Sequence, residues 1–493
     1  MATGDSLTVS ATFDQGTVPN ATIYKPLQPG QIRVLHLQPA REVTAPLVGV
    51  FEIIEIGSGA GYEALSYTWD QPFNEDDVSN LSPLKSSTQK AWTQESIFST
   101  YQFESGVIWI HEVAVPTTAN LHVALRRLRY SDEARSLWID AICINQDDLM
   151  ERSAQVACMA QVFSGASQVV AWIGEDSVAE DGQFFLRHCG QDAESWKDNR
   201  SGPSWMLDKH EDLHPVFEQR RYFRRRWCIQ EMAFAQCAKL NCGPLEIPWS
   251  AFIAALSGDR GLDFGTITTL AKITEEENTI QLMILLSPWK CLDKRDAIYS
   301  IASILKLRPD CPQIRIDYSL DWPTVYTHFT RDYIQLNGYI AAWNILITAG
   351  LKLWSLWSRD HVPSETHSWV PDWANCEVYD GWITSSMRMS DCLIGNHFSA
   401  KDDKYAVACD DHSIMIDLLY LGQVGIDEPS EHGLLCNDCY YGLPAGHILG
   451  KIDVALVLRR CGERDMTFQL VSLVWPSPRG WLIEPEMHRV TII

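Results

Sequence analysis

Residues 136–144 read SLWIDAICI, and residues 145–148 continue as NQDD. A short and nearly continuous apolar run of this kind predicts a strand that is buried on both faces of a sheet. Asp140 lies in the middle of the run. Because burial of a lone charge costs free energy, we expect the Asp140 carboxylate to have a partner or a ligand.

The residues after this run predict a helix over 148–165. Asp148 and Glu151 have the spacing of a capping box, and an apolar stripe follows. The stripe consists of Leu149, Val156, Met159, Ala160 and Phe163. A buried strand, a polar turn and an amphipathic helix form half of an α/β unit, in which ligands bind at the turn.

The composition bounds the class of protein. A chain of 493 residues with 46% hydrophobic and 21% charged residues is long enough for two or three globular domains. A net charge of −23 argues against a general nucleic-acid binder, which would have a basic surface. Fourteen irregularly spaced cysteines and no signal-peptide pattern predict reduced thiols and a cytoplasmic location. The apolar window at 341–357 is too short and too polar to span a bilayer, so we expect no membrane span.

Strand patterns precede the central run at 32–37, 50–56, 62–70 and 107–115. The glycines at 57, 59 and 61 predict a turn and not a dinucleotide loop, because Tyr62 occupies the third glycine position and a strand follows. Polar stretches at 71–105 and 175–215 predict insertions, and 168–174 predicts another buried strand.

The remaining patterns divide the chain into four regions. We predict a flexible lead-in at 1–30, an α/β domain at 31–250, a helical region at 251–345 and a mixed α+β region at 346–493. The helical patterns cover 280–286, 296–305 and 322–336. The late strand patterns cover 413–421, 454–458 and 468–475.

Glu231 is a second candidate for a buried carboxylate. The helical spacing within residues 220–235 places it on one apolar face with Phe223, Trp227 and Phe234. Its helical neighbours cannot pair with it, so its partner comes from elsewhere in the fold or from a ligand. Two interpretations stay open: Glu231 has a chemical role, or it pairs with a buried arginine such as Arg152 to hold the fold. For Asp140, the structural role of anchoring an arginine or backbone groups is favoured.

Two weaker signals are interpreted as structural. The arginines between 220 and 226 resemble a solvated helix start, in which at most one or two residues have a function. One Cys-x-x-Cys pair with flanking histidines (His432, Cys436, Cys439 and His447) is a weak zinc signal, and we expect no metal site.

Three segments together resemble the signature blocks of the fungal heterokaryon-incompatibility (HET) domain. They are YEALSYTW at 62–69, LWIDAICINQ at 137–146 with Glu151 and Arg152, and RRWCIQE at 225–231. Weaker similarities follow at 293–299, 316–319 and 369–373. The resemblance covers roughly residues 31–250 and implies a role in self/non-self recognition and regulated cell death.

The HET family is remotely similar to Toll/interleukin-receptor-type (TIR) domains. This similarity implies a TIR/flavodoxin-like, mostly parallel sheet with insertions. Residues 227–232 resemble the TIR Trp-Cys-x-x-Glu-Leu helix, whose glutamate is catalytic in members that hydrolyse NAD. The resemblance therefore implies that Glu231 is catalytic and that NAD is a substrate and not a cofactor. The candidates for nucleotide binding are Tyr67, Trp69, Asp70, Asp140, Asn145, Arg226 and Trp227.

Two alternatives stay open beside NAD hydrolysis. The domain could be a non-enzymatic signalling or self-assembly module of the same death pathway, or a diverged and inactive family member. We expect a homo-oligomer and an incompatibility partner protein of unknown identity.

Overall fold

A computed structural model describes ten stretches of the chain: residues 23–69, 106–175, 220–256, 278–356, 366–374, 407–423, 439–444, 455–461, 467–474 and 486–493. Asp70, the predicted insertion at 71–105 and nearly all of the one at 175–215 lie outside these stretches. Most of the predicted lead-in lies outside them as well.

The larger sheet has nine strands in the order β5-β4-β2-β1-β6-β3-β7-β8-β9. They are β1 (Gln31–Leu37), β2 (Leu47–Glu55), β3 (Glu63–Ser66), β4 (Gly106–Ile110), β5 (Val113–Thr117), β6 (Arg135–Trp138), β7 (Gln168–Trp172), β8 (Ala238–Cys242) and β9 (Leu245–Pro248). Strands are therefore present at each position predicted within residues 31–250, although β3 and β6 are shorter than predicted. The pattern predicted at 107–115 forms two antiparallel strands, β4 and β5.

The centre of this sheet is parallel and its flanks are mixed. Strands β6, β3, β7 and β8 run parallel, and in order along the chain they are arranged as 2-1-3-4. On one side β1 pairs antiparallel with both β6 and β2, and on the other side β9 pairs antiparallel with β8. The predicted α/β class is confirmed, and the parallel pairing holds for the central strands.

The turn between β2 and β3 contains the glycine cluster. Gly57 and Gly59 have φ values of 81° and 79°, which side chains with a Cβ rarely adopt. The prediction of a turn at this position is confirmed.

The helices of the first half are α1 (Ala119–Leu128), α2 (Asp140–Cys143), α3 (Leu149–Ala157), α4 (Met159–Gly165), α5 (Trp227–Ala233) and α6 (Trp249–Leu256), with a 3-10 helix at Arg221–Arg224. They are followed by α7 (Thr279–Leu285), α8 (Asp296–Tyr299), α9 (Ala302–Leu305) and α10 (Trp322–Leu356). Helix α10 continues well past its predicted end and is kinked at Gly338, where φ is 72°. None of the described helices has both the length and the apolar content that a bilayer crossing requires.

The prediction of one strand over 136–144 is wrong. Strand β6 ends at Trp138, and Asp140 begins the single turn of α2. The Asp140 carboxylate accepts a hydrogen bond from the backbone N–H of Ala141 at 2.7 Å, which favours a turn over an extended chain. An apolar run cannot distinguish a buried strand from a buried helical turn, because both bury every side chain.

The predicted helix over 148–165 is two helices that meet at Cys158. Asp148 caps the first of them, because its carboxylate accepts from the N–H groups of Met150 and Glu151. The reciprocal half of the predicted capping box is wrong. The Glu151 carboxylate instead pairs with Arg33 at 2.5 Å and accepts from the N–H of Asn145 at 2.7 Å.

The second sheet has six strands: β10 (Val407–Cys409), β11 (Ile414–Gln423), β12 (Cys439–Pro444), β13 (Ala455–Arg460), β14 (Thr467–Val474) and β15 (Glu486–Ile492). Strand β11 pairs with β15 as well as with β12, so strands β11–β15 form a closed ring. The strands predicted at 413–421, 454–458 and 468–475 are confirmed.

Residues beyond 250 supply partners to the segment before α5. Lys290 forms a parallel bridge with Arg225, and its carbonyl accepts from the N–H of Arg226 at 2.9 Å. The Arg226 guanidinium donates to the carbonyl of Leu286 at 3.0 Å. The boundaries near 250 and 345 stay predictions, but residues 286–290 are part of the support of the first sheet.

We expect the Glu151→Ala substitution to destabilise the fold by about 3–5 kcal/mol, because it leaves the buried Arg33 guanidinium without its carboxylate. Urea unfolding measures this difference. Glu52 pairs with His36 but is exposed, so Glu52→Ala should cost less than about 1 kcal/mol. Equal costs for the two variants would contradict the structural role of the Arg33–Glu151 pair.

Candidate functional site

The two predicted carboxylates meet at one edge of the sheet. Strands β3 and β6 are parallel, so Ser66 at the end of β3 and Asp140 just after β6 lie at the same edge. Helix α5 packs against β3 and brings Glu231 to this edge. Ligands of α/β sheets bind at the carboxyl ends of the parallel strands, so this edge is the candidate site.

Arg225 joins the two carboxylates. Its Nη2 donates to Asp140 Oδ2 at 3.0 Å, and its Nη1 lies 3.9 Å from Glu231 Oε1. Nη1 also donates to the backbone carbonyl of Tyr67. One guanidinium therefore serves two acidic groups. Burial lowers the pKa of Arg225, but Glu231 and Asp140 more than offset that effect, so Arg225 stays charged.

Arg225, and not the neighbouring Arg226, occupies this position. The assignment of Arg226 to nucleotide binding stays a prediction. The backbone at Arg225 is extended and bridges to Lys290. Successive side chains on an extended backbone point in opposite directions. The Arg225 side chain therefore reaches the end of β3, and that of Arg226 reaches α7, where it contacts the Leu286 carbonyl and Met283 Sδ.

Glu231 is the deeper of the two carboxylates, with 1% of the residue exposed. It accepts a hydrogen bond from Ser66 Oγ at 2.5 Å, and Ser66 Oγ lies 2.9 Å from the Tyr222 hydroxyl. Burial raises the pKa of Glu231 to about 7, against the lowering effect of Arg225, and the Asp140 charge raises it further. The Glu231 carboxyl therefore keeps its proton to a higher pH than an ordinary carboxyl does.

Tyr67 and Trp69 lie on the two sides of the Arg225–Asp140 contact. Trp69 Nε1 donates to Asp140 Oδ2 at 3.0 Å. The Arg225 guanidinium lies 5.9 Å from the centre of the Tyr67 ring. Tyr67 is fully buried, and its hydroxyl has no hydrogen-bond partner among the described residues. In this arrangement Tyr67 packs in the core, and Trp69 is the aromatic residue that is partly open to solvent.

Cys228 is a buried thiol beside the same carboxylate. Burial raises the pKa of Cys228, and the negative charge of Glu231 raises it further. The group is therefore a neutral thiol at physiological pH. Because the thiolate and not the thiol is the nucleophile, Cys228 serves for packing and hydrogen bonding.

Two other predicted nucleotide-binding residues, Trp227 and Asn145, make contacts with groups outside this cluster. The Trp227 indole donates to Asp296 Oδ2 at 2.9 Å, and the Asn145 backbone N–H binds Glu151. Asp70 lies outside the described residues. Their assignment to a nucleotide site stays a prediction, although none of these contacts joins them to Arg225.

The structure contains a buried acid that the sequence reading missed. Asp296 accepts hydrogen bonds from the Tyr318 hydroxyl at 2.6 Å and from Trp227. Burial raises the pKa of Asp296 to about 6.

Arg152 lies 3.8 Å from the centre of the Tyr318 ring and 3.4 Å from Asp293. Glu231 does contact an arginine, but that residue is Arg225 and not Arg152, the example that the sequence suggested.

The sequence contained one signal for an arginine near these acids, which is the need to balance their negative charge, but this signal did not distinguish Arg225 from its neighbouring arginines. Two buried carboxylates require a nearby cation, and Arg225 lies in the same block as Glu231. Nothing in the local pattern singled out Ser66 or Tyr222. Their contacts with the site join residues more than 150 positions apart in the chain.

Within the described stretches, no cluster of three or more His, Cys, Asp or Glu residues is arranged to hold a metal ion. Of the weak zinc signal, Cys439 lies in β12. His432, Cys436 and His447 lie outside the described residues, so that signal is untested.

The comparisons with known proteins agree with this geometry. Residues 62–231 match the sequence model of a family described as "Heterokaryon incompatibility protein (HET)". The match runs from Tyr62, before β3, to Glu231 in α5. It spans all the residues of what we call the Arg225 cluster, which are Arg225 and the groups around it: Ser66, Tyr67, Trp69, Asp140, Tyr222, Cys228 and Glu231. All three of the predicted sequence blocks therefore fall within the segment that is similar to the HET family.

A curated relative is "Heterokaryon incompatibility protein 6, OR allele" of Neurospora crassa. It is 28% identical to this chain over 422 residues, which cover 69% of this chain and 57% of the relative. The chain thus spans just over half the length of this relative. The search of solved structures found no match.

We expect the free energy of unfolding of the wild type to fall as the pH rises, and that of Glu231→Gln to fall less. The difference between the two proteins therefore shifts in favour of the variant at higher pH. The folded-state pKa of Glu231 is about 7 and the ordinary value is 4.5, so the folded protein binds more protons between these values. Wild-type stability from this group falls across that window by about 3 kcal/mol, and glutamine does not titrate.

The measurement is the free energy of unfolding of both proteins from pH 4.5 to pH 8. Gln28→Ala, at an exposed residue that does not titrate, should differ from the wild type by the same amount at every pH. A difference between Glu231→Gln and the wild type that is flat with pH would show that the pKa of Glu231 is not raised.

Proposed function

We propose that this protein takes part in heterokaryon incompatibility, the self/non-self recognition of fused fungal cells. The support is the HET domain at 62–231 and the similarity to an incompatibility protein of Neurospora crassa. We propose that the protein acts in regulated cell death, from a cytoplasmic location, with an incompatibility partner protein.

We also propose that the HET domain is TIR-like. The order 2-1-3-4 of the parallel strands is that of flavodoxin-like sheets, and it supports this assignment. The position of Glu231 on a helix that packs against the first parallel strand supports it as well.

The chemistry that we propose for the site is hydrolysis of NAD or a related nucleotide. The bond between the nicotinamide nitrogen and ribose C1′ breaks, its electron pair leaves with nicotinamide, and C1′ becomes cationic. Water then bonds to C1′ and releases a proton, so the products are nicotinamide, ADP-ribose and a proton. An ionised Glu231 would stabilise the cationic ribose. The observation that carries this proposal is the buried glutamate beside Arg225 and Asp140 at the carboxyl edge of β3.

A second candidate is a non-enzymatic signalling or self-assembly module. One observation favours it: Glu231 is 1% exposed and already accepts a hydrogen bond from Ser66. In this interpretation the Arg225 cluster holds α5 against the sheet, and cell death depends on surface contacts between copies or with a partner.

The test is to incubate the purified protein with NAD and measure nicotinamide release. It is done with the protein alone and with the protein fused to an oligomerising domain. We expect release to rise from pH 6 to pH 8, because the reaction needs the ionised form of Glu231. Glu231→Gln should lower the rate by about 100-fold or more, since it removes the charge that stabilises the ribose cation.

Glu133→Gln is the matched control, because Glu133 is exposed and apart from the site. The same variants are then expressed in a fungal host. Loss of toxicity in Glu231→Gln alone supports the enzyme. Full toxicity of a folded Glu231→Gln protein, with no nicotinamide released by the wild type, supports the signalling module.

A further inference from the structure

The Glu231 side of the Arg225 cluster is buried more deeply than the Asp140 side. The side chain of Glu231 is 2% exposed, and those of Asp140 and Arg225 are 12% and 15% exposed. Among the arginines at 220–226, Arg220 and Arg226 are completely buried and donate to backbone carbonyls. Arg225, which contacts both carboxylates, keeps 15% of its side chain exposed to solvent.

The donors of Arg225 suit a phosphate group. Guanidinium presents five N–H donors in a planar fork that matches the oxygens of phosphate. Among the described residues, Arg225 uses these donors for one carbonyl, that of Tyr67, and for one carboxylate oxygen, Asp140 Oδ2. A phosphate can bind the guanidinium in the place of that single oxygen.

Asp140 can release Arg225 without becoming unsatisfied. Its Oδ2 also accepts from Trp69 Nε1 at 3.0 Å, and its Oδ1 accepts from the N–H of Ala141 at 2.7 Å. Two donors remain on the carboxylate when Arg225 turns away. Because 12% of the buried Asp140 side chain stays in contact with solvent, the released charge also keeps some hydration, which lowers the cost of the exchange.

We propose that Arg225 is the phosphate-binding residue of this site and that Asp140 occupies it in the resting protein. An entering phosphate-bearing nucleotide displaces the Asp140 carboxylate from the guanidinium and takes its place beside Glu231. Asp140 thus competes with the ligand for the guanidinium. The ligand binds only when its phosphate contacts Arg225 more favourably than the Asp140 carboxylate does. This inference rests on the proposed nucleotide chemistry of the site and adds its recognition of phosphate.

The test is calorimetric titration of the full chain with ADP-ribose, inorganic pyrophosphate and adenosine. Removal of the competing charge in Asp140→Asn should tighten the binding of both phosphate-bearing probes by about tenfold or more, since the amide oxygen can still accept from Trp69. Arg225→Gln should weaken both by at least about tenfold. Asp140→Asn/Arg225→Gln should bind as weakly as Arg225→Gln alone.

Asp132→Asn is the matched control, because Asp132 is exposed and pairs with Arg41 on the surface. Its affinities should equal those of the wild type. Thermal melts establish that each variant is folded. Trp69→Phe is a further variant, which removes the other side-chain donor to Asp140 Oδ2. The Asp140 carboxylate then relies more on Arg225 for its hydrogen bonds, so we expect this variant to bind phosphate more weakly.

Each outcome has a separate meaning. Unchanged or weaker binding of pyrophosphate to folded Asp140→Asn overturns the competition. Wild-type affinity in Arg225→Gln overturns the phosphate site, and adenosine bound as tightly as ADP-ribose does the same. Binding of pyrophosphate requires no bond cleavage. A failure to release nicotinamide would therefore contradict the proposed hydrolysis but would not contradict phosphate binding at Arg225.

Discussion

The structure depends on one shared cation. Arg225 contacts Asp140 at 3.0 Å and Glu231 at 3.9 Å, and it also donates to the end of β3. These groups come from three separate segments of the chain, after β3, after β6 and in α5. Without the guanidinium, two acids would face each other at a buried edge of the sheet. The same contact therefore holds the segments together and sets the charge of the site.

The two carboxylates experience this cation differently. The Asp140 side chain is 12% exposed and has three donors, and the Glu231 side chain is 2% exposed and has a longer ionic contact. Burial therefore dominates for Glu231 and raises its pKa to about 7. Groups of one chemical type acquire different roles because their surroundings differ, which is how proteins separate a charged anchor from an acid that titrates near neutrality.

The site also depends on residues outside the matched family segment. Lys290 bridges to Arg225, and Asp296 accepts from Trp227 in the same helix as Glu231. Arg152, from the central signature block, stacks on Tyr318. Residues between 286 and 318 thus contact both the central and the last signature blocks and help to hold them in place. The weaker family similarities at 293–299 and 316–319 fall on this region.

The sequence by itself determined the local elements and the two acids of the site. Alternating and continuous apolar runs predicted the strands, and Asp140 and Glu231 stood out as charges on apolar segments. It did not determine where β6 ends, because an apolar run suits a helical turn equally well. The tertiary structure alone decided which arginine serves the acids. The bridge to Lys290, 65 residues later in the chain, directs Arg225 to the sheet and Arg226 away from it. No local pattern encodes a direction that is set by so distant a strand contact.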